Sequence, residues 1–152
     1  MSRIVSYKGK MSDNAGAGST ERISLGTIKG LIGYKIVKFD TIKSNPGLGS
    51  DLECLMKIYS VQQSTIDGNV DLSDQTLLAV NYNKMGNVVT DNDDRTIIID
   101  NVKVNQDIFI TYTDVSGNQN ACNYYIELEQ MKLDLNEQTV ATLKDIRNVG
   151  AE

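Results

Sequence analysis

The sequence predicts an all-β protein, an antiparallel β-sandwich or a jelly-roll-like barrel with an extended N-terminal arm. Segments such as residues 52–61 alternate apolar and polar side chains with a period of two, as half-buried strands do. These segments are rich in β-branched and aromatic residues, which suit a pleated surface. Turn-forming residues separate them at roughly the 8–12-residue spacing of sandwiches and barrels. A length of 152 residues fits one domain.

The first part of the chain, residues 1–21, differs in composition from the rest. It combines a basic start with a stretch of small and polar residues at positions 13–20, and no period runs through it. Such a segment is typical of a flexible linker or of an arm that orders on a neighbouring subunit. We therefore expect a flexible or partner-ordered arm at residues 1–21 and a single β-sandwich domain at residues 22–152.

This arm carries the predicted partner-binding residues. Its apolar side chains suit the addition of a strand to the sheet edge of a neighbour. Its basic side chains suit an acidic surface on a copy of the same chain. The predicted contact residues are Arg3, Ile4, Val5, Tyr7, Lys8 and Lys10.

The first long strand of the domain is predicted at residues 34–42. Its alternation slips between Ile36 and Val37, and a β-bulge absorbs a slip of this kind. A loop around Pro46 and Gly47 follows, with the residues of a type II turn.

The next strand is predicted at residues 52–61. Its even-numbered residues, Cys54 and Met56 among them, are apolar and are expected to face the core. Glu53 and Lys57 alternate with them and are expected to face away from it.

The middle of the chain predicts shorter elements. Ser73 suits the cap of a short helical turn, which we expect to lead into a strand at residues 77–82. Residues 83–95 are polar and predict a loop. The apolar residues 96–100 predict a short strand.

The clearest pattern is a predicted β-hairpin near the C-terminal end. Residues 107–113 and 123–131 alternate strongly, and residues 114–120 between them are of the types that turns use. Residues 139–147 fit either an extended segment or a helix. The side chains expected to dominate the core are Phe39, Met56, Ile58, Ile110, Ile126 and Leu128.

Composition limits the possible partners. A net charge of −5 argues against nucleic acid, because phosphate binding needs clustered Lys and Arg. No apolar run approaches the roughly 20 residues of a membrane span. The first residues lack the apolar region of a signal peptide, so we expect synthesis in the cytoplasm without export by that route.

The sequence predicts no catalytic residues and no cofactor. It contains no histidine, which is the usual general base and a common metal ligand, and no phosphate-binding loop is present. Cys54 and Cys122 are expected to be reduced and buried, and a disulfide would require neighbouring strands. The acidic residues at 127 and 129 fit the solvated side of a strand.

One acidic cluster is a weak candidate for a calcium site. It consists of Asp91, Asp93 and Asp94, and carboxylates at close spacing suit calcium. The Gly and the distant Glu of a calcium loop are missing, so a solvated loop is the simpler interpretation.

Four segments resemble small virion structural proteins of marine tailed bacteriophages. They are Gly33-Tyr34-Lys35-Ile36-Val37-Lys38-Phe39, Asp71-Leu72-Ser73-Asp74-Gln75-Thr76-Leu77-Leu78, Asn105-Gln106-Asp107-Ile108-Phe109-Ile110-Thr111 and Asn123-Tyr124-Tyr125-Ile126-Glu127-Leu128-Glu129. The resemblance implies a non-enzymatic, capsid-associated β protein located in the virion. The expected role is a capsid decoration or cement protein that binds the shell through its β body and N-terminal arm, while a place in the lattice, in the tail or at a vertex stays open. The partners it implies are copies of this chain and other capsid proteins.

A glycan- or receptor-binding β-sandwich is the alternative function. Tyrosine is enriched at binding surfaces, and in such a module the acidic loop and exposed tyrosines would form the site. The candidate tyrosines are Tyr34, Tyr59, Tyr82, Tyr112 and Tyr125.

Overall fold

The structure is a computed structural model that describes residues 3–13, 18–25, 31–45, 52–85, 93–99, 103–133 and 143. These residues form eight strands. The strands are β1 (Arg3–Met11), β2 (Ser19–Ile23), β3 (Ile32–Lys43), β4 (Leu52–Tyr59), β5 (Leu77–Met85), β6 (Asp93–Ile98), β7 (Ile108–Asp114) and β8 (Cys122–Lys132).

The strands form two antiparallel sheets that pack face to face, which confirms the predicted β-sandwich. One sheet has three strands in the order β1-β8-β3, and the other has five in the order β2-β7-β4-β5-β6. The two sheets are open and do not close into a barrel. Side chains from both inner faces fill one core, as in other sandwiches.

The prediction of an N-terminal arm at residues 1–21 is wrong for the residues of this range that the structure describes. β1 pairs with β8 of the same chain along its whole length, and β2 pairs with β7. Val5 and Tyr7 pack against the core. Gly9 lies in β1 at a point where a larger residue would not fit, because a Cβ there would lie 2.7 Å from the Tyr124 hydroxyl. Glycine at this position makes room for the Tyr124 ring.

The predicted bulge in the first long strand is confirmed. The pairing of β3 with β8 shifts between Ile36 and Lys38, so Val37 is the extra residue. Ile36 before the shift and Phe39 after it are both buried. The bulge therefore keeps both halves of a 12-residue strand facing the same core.

The predicted β-hairpin is wrong, although both of its strands exist. β7 belongs to the five-stranded sheet and β8 to the three-stranded sheet, so residues 115–121 cross from one sheet to the other. The apolar faces of both strands, including Ile110 and Ile126, are fully buried in the same core. Alternation predicted these faces correctly, but it is the same for strands that pair and for strands that pack face to face.

The predicted core residues are confirmed as buried. Each of them is at most 1% exposed, and all belong to the cluster between the sheets: Phe39, Met56, Ile58, Ile110, Ile126 and Leu128.

Residues 60–76, here called the covering segment, cover the middle of the outer face of the five-stranded sheet. Lys57 on β4 points away from the core as predicted, yet it is only 4% exposed. Its Nζ donates to the carbonyl oxygens of Asp67 and Asn69 at 3.4 and 2.6 Å. Tyr59 is also buried on this side, and burial, followed by the charge of Asp74, raises the pKa of its hydroxyl to about 12.

Three further predictions differ from the structure or fall outside it. Ser73 lies in a turn and not in a helical turn, because the chain enters β5 at Leu77. The predicted loop at 83–95 is partly strand, since β5 continues to Met85 and β6 begins at Asp93. Residues 139–147 lie outside the described residues apart from Leu143. Within the described ranges, no helix is long and apolar enough to cross a membrane.

Candidate interaction surface

The three-stranded sheet has an outer face that stays exposed to solvent, and we call it the open face. Because side chains alternate along each strand, every second residue of β1, β8 and β3 lies on this face. The strand register arranges them in four rows across the sheet. The rows are Lys10-Asn123-Ile42, Lys8-Tyr125-Asp40, Ser6-Glu127-Lys38 and Ile4-Glu129-Lys35.

The centre of the open face is a network of charges around Tyr125. The Tyr125 hydroxyl donates to Glu127 Oε2 at 2.8 Å, and this hydrogen bond is the main cause of the raised pKa of the tyrosine. Lys38 Nζ lies 5.9 Å from the centre of the Tyr125 ring and 3.7 Å from Asp40 Oδ2. The ring is therefore held among charges of both signs, and the residue is 37% exposed.

Large apolar side chains stand at two corners of the open face. Ile4 is 52% exposed and Ile42 is 56% exposed. Val37, displaced by the bulge, is also exposed beside Lys38. Exposed apolar residues among paired charges are typical of surfaces that bind another protein, where the apolar groups are buried and the charges set the orientation.

The structure divides the predicted partner-binding residues between two faces. Ile4, Lys8 and Lys10 lie on the open face, and Arg3 is exposed at the start of β1. Val5 and Tyr7 point inward and pack against the core. The predicted apolar strand therefore completes the chain's own sheet. β1 remains an edge strand, so one side of its backbone faces away from β8.

Sequence reasoning missed the part of this surface that β3 and β8 contribute. Asp40 and Lys38 are brought beside Tyr125 only by the pairing of β3 with β8. The alternation of residues 123–129 already indicated that Tyr125 and Glu127 share a face. Nothing local indicated which strands would flank them.

The weak calcium candidate is not assembled by the described residues. Asp93 and Asp94 are neighbours in β6, and consecutive strand residues point to opposite faces. Asp93 Oδ2 accepts a hydrogen bond from Arg95 Nε at 3.3 Å, and Asp91 lies outside the described residues. No three His, Cys, Asp or Glu side chains in the described ranges group closely enough to hold a metal ion.

The candidate tyrosines lie in different environments. Tyr59 and Tyr112 are buried, and Tyr34 and Tyr82 are half-buried. Of the five, Tyr125 is the exposed one. A tyrosine-lined site would therefore have to be built around Tyr125.

Comparison of the chain with protein-family models, curated proteins and solved structures found no match.

Two buried carboxylates outside the open face have structural roles. Asp114 is 2% exposed, and its carboxylate accepts hydrogen bonds from the main-chain N–H groups of Glu53, Ser116 and Asn120 at 2.9–3.1 Å. Burial alone would raise the pKa of Asp114, but the hydrogen bond from the Ser116 hydroxyl, together with those from the main chain, outweighs burial and holds the pKa below its usual value. Asp13 is 4% exposed and accepts from Gly18 N at 2.7 Å. Both carboxylates serve as acceptors for main-chain groups.

Proposed function

We propose that this protein is a non-enzymatic structural component of a virion, a capsid decoration or cement protein that binds the shell through its open face. The observation that carries the proposal is the contrast between the two outer faces. The covering segment shields the middle of one, and the other exposes Ile4, Ile42 and Tyr125 among charges of both signs.

The open face has the properties that binding to a protein lattice requires. It is built on three paired strands, so its side chains are held in a fixed arrangement. Its apolar corners supply area to be buried, and its charges favour one orientation of the partner. The edge of β1 offers main-chain groups to a strand of a neighbour.

The segment resemblance to phage virion proteins supports the same proposal. The segment at residues 123–129 forms the central strand of the open face, and residues 33–39 form part of its flanking strand. The non-enzymatic part of the proposal follows from composition, since a chain without histidine lacks the most common general base. The virion, made in the host cytoplasm, is the proposed location.

Binding to capsids lacking this protein tests the proposal. The Ile42→Asp variant should bind such capsids at least ten-fold more weakly, because it places a charge where apolar area is buried. Leu72→Asp is the matched control, since Leu72 is 57% exposed on the opposite side of the molecule. Equal loading of wild type and both variants would refute the open face as the binding surface.

Copy number in purified virions separates the structural roles. Hundreds of copies per particle indicate a shell component, and a handful indicate the tail or a vertex. Absence of the protein from purified virions would refute the proposal altogether.

A glycan- or receptor-binding role is the second candidate, and Tyr125 favours it. An exposed ring beside a carboxylate, here that of Glu127 at 2.8 Å from the Tyr125 hydroxyl, suits a sugar that stacks on the ring and hydrogen-bonds to the acid. Glycan-array binding that is lost in Tyr125→Ala, together with absence from virions, would favour this candidate over the first.

A further inference from the structure

Cys54 and Cys122 come from different sheets and meet inside the core. Cys54 lies on β4 and Cys122 begins β8; both are 0% exposed, and neither forms a disulfide. The Cys122 side chain is near enough to raise the pKa of the Cys54 thiol, and both side chains belong to the same core cluster. The Cys122 thiol also donates a hydrogen bond to the carbonyl oxygen of Ile42, with 3.5 Å between the sulfur and the oxygen. The two cysteines are therefore neighbours across the sandwich.

The backbone shows independently that the sheets converge at this corner. Facing sheets usually lie about 10 Å apart, which is too far for a disulfide, but some Cα atoms of β3 come within 8 Å of Cα atoms of β4 and β5 in the facing sheet. Asn83, the register partner of Cys54, donates to the carbonyl oxygen of Thr41 at 3.3 Å. Thr41 lies two residues before Lys43, the register partner of Cys122. This hydrogen bond between the sheets therefore joins β5 and β3, the strands paired with the two that carry the cysteines.

We propose that Cys54 and Cys122 form an intramolecular disulfide that joins the two sheets when the protein meets a small-molecule disulfide such as glutathione disulfide. One cysteine loses its proton and attacks the small disulfide, whose S–S bond breaks and releases one thiol. The second cysteine then attacks the mixed disulfide and releases the other thiol. Two protein thiols are oxidised, one small disulfide is reduced to two thiols, and the two protons go to those thiols.

Burial determines when this reaction occurs. The neighbouring Cys122 side chain, followed by burial, raises the pKa of the Cys54 thiol, so the reactive thiolate is scarce in the closed sandwich. Oxidation is therefore slow in the folded protein and fast while the sheets are apart. The pair stays reduced in a reducing cytoplasm and becomes joined in an oxidising environment. This inference does not depend on the proposed function.

Refolding in defined redox buffers tests the proposal. The unfolded chain is refolded with glutathione disulfide or with reduced glutathione alone, and then analysed by non-reducing peptide mass mapping and thermal unfolding. We expect a monomer that has lost two hydrogen atoms and yields a peptide linking Cys54 to Cys122. Its Tm should exceed that of the reduced protein by an amount on the order of 10 °C, because the cross-link restricts the unfolded chain.

The control variants Cys54→Ala and Cys122→Ala should show no oxidant-dependent rise in Tm. The peptide map of the wild type shows directly whether Cys54 and Cys122 are linked, so the test of the disulfide holds even if a variant folds poorly. Two free thiols after refolding with oxidant, a persistent mixed disulfide with glutathione, or links between chains would each overturn the proposal. Oxidation of the folded protein as fast as of the refolding chain would overturn the role assigned to burial.

Discussion

Asp13 Oδ2 accepts a hydrogen bond at 3.0 Å from the main-chain N–H of Asp114, a residue 101 positions further along the chain. Asp13 follows β1 in the three-stranded sheet, and Asp114 ends β7 in the five-stranded sheet. The bond therefore joins the two sheets at the end of the sandwich where the chain crosses from β7 to β8. Both side chains are buried, so the loss of either leaves polar main-chain groups without acceptors.

Replacing Asp114 by alanine should destabilise the protein by about 3 kcal/mol or more. The variant removes the acceptor of the Glu53, Ser116 and Asn120 N–H groups. Denaturant unfolding followed by circular dichroism measures the loss. Asp40→Ala, at an exposed position on the open face, should change stability by less than about 0.5 kcal/mol. Similar losses in both variants would contradict the anchoring role of Asp114.

The stabilisation by Asp114 should depend on pH in the acid range. Its folded pKa lies below the ordinary value of 3.8, so the unfolded chain binds the proton more readily. Its contribution is therefore fully present above that ordinary value and is lost as the pH falls through the lowered folded pKa. Unfolding free energies of wild type and Asp114→Asn, measured at several pH values, should differ most at neutral pH and converge in acid. A constant difference would contradict this pKa shift.

Two adjacent residues of β1 should respond differently to the same substitution. Val5 packs against the core and Ile4 lies on the open face. Val5→Asp should lower the free energy of unfolding by about 1–3 kcal/mol because it buries a charge, and Ile4→Asp should change it by about 0.5 kcal/mol or less. Denaturant unfolding of both variants provides the measurement. No change in either variant would mean that this segment is a loose arm after all.

Gly9→Ala should destabilise the protein by about 1–3 kcal/mol through overpacking. The new Cβ would lie 2.7–2.8 Å from the Tyr124 ring and hydroxyl, which must then move. That movement breaks the hydrogen bond from the Tyr124 hydroxyl to Glu21 Oε1, 2.9 Å long, which links β8 to β2 of the other sheet. Tyr124→Phe loses this bond alone, so the double variant should lose less stability than the sum of the two single variants. Strict additivity would show that Gly9 and Tyr124 act independently.

Ile126→Ala should cost about 2–5 kcal/mol, because the side chain is fully buried between the sheets and leaves a cavity when truncated. Thermal and denaturant unfolding measure the loss. Ile42→Ala, at an exposed position, provides the control and should cost less than about 0.5 kcal/mol. A loss below about 1 kcal/mol at Ile126 would contradict the assignment of its face to the core.

Local sequence determined the faces of individual strands. Ile126 and Leu128 were assigned to the core and Tyr125 to the outside from alternation alone, because the two-residue period of a strand is a property of its own backbone. The bulge at Val37 was predicted for the same reason, since an extra residue shifts that period where it occurs. Neither conclusion required knowledge of a partner strand.

Only the tertiary structure decided which strands meet. β7 and β8 were predicted to pair and instead lie in different sheets, and β1 was predicted to be an arm and instead pairs with β8. Lys57 was correctly placed on the side away from the core, but its burial depends on carbonyl oxygens of the covering segment. Contacts of this kind cannot be read from the order of residues in the chain. Alternation shows how apolar each face of a strand is, but it does not show which segment covers that face. The open face is likewise a product of pairing, since Lys8 and Asp40 flank Tyr125 only after three strands have come together.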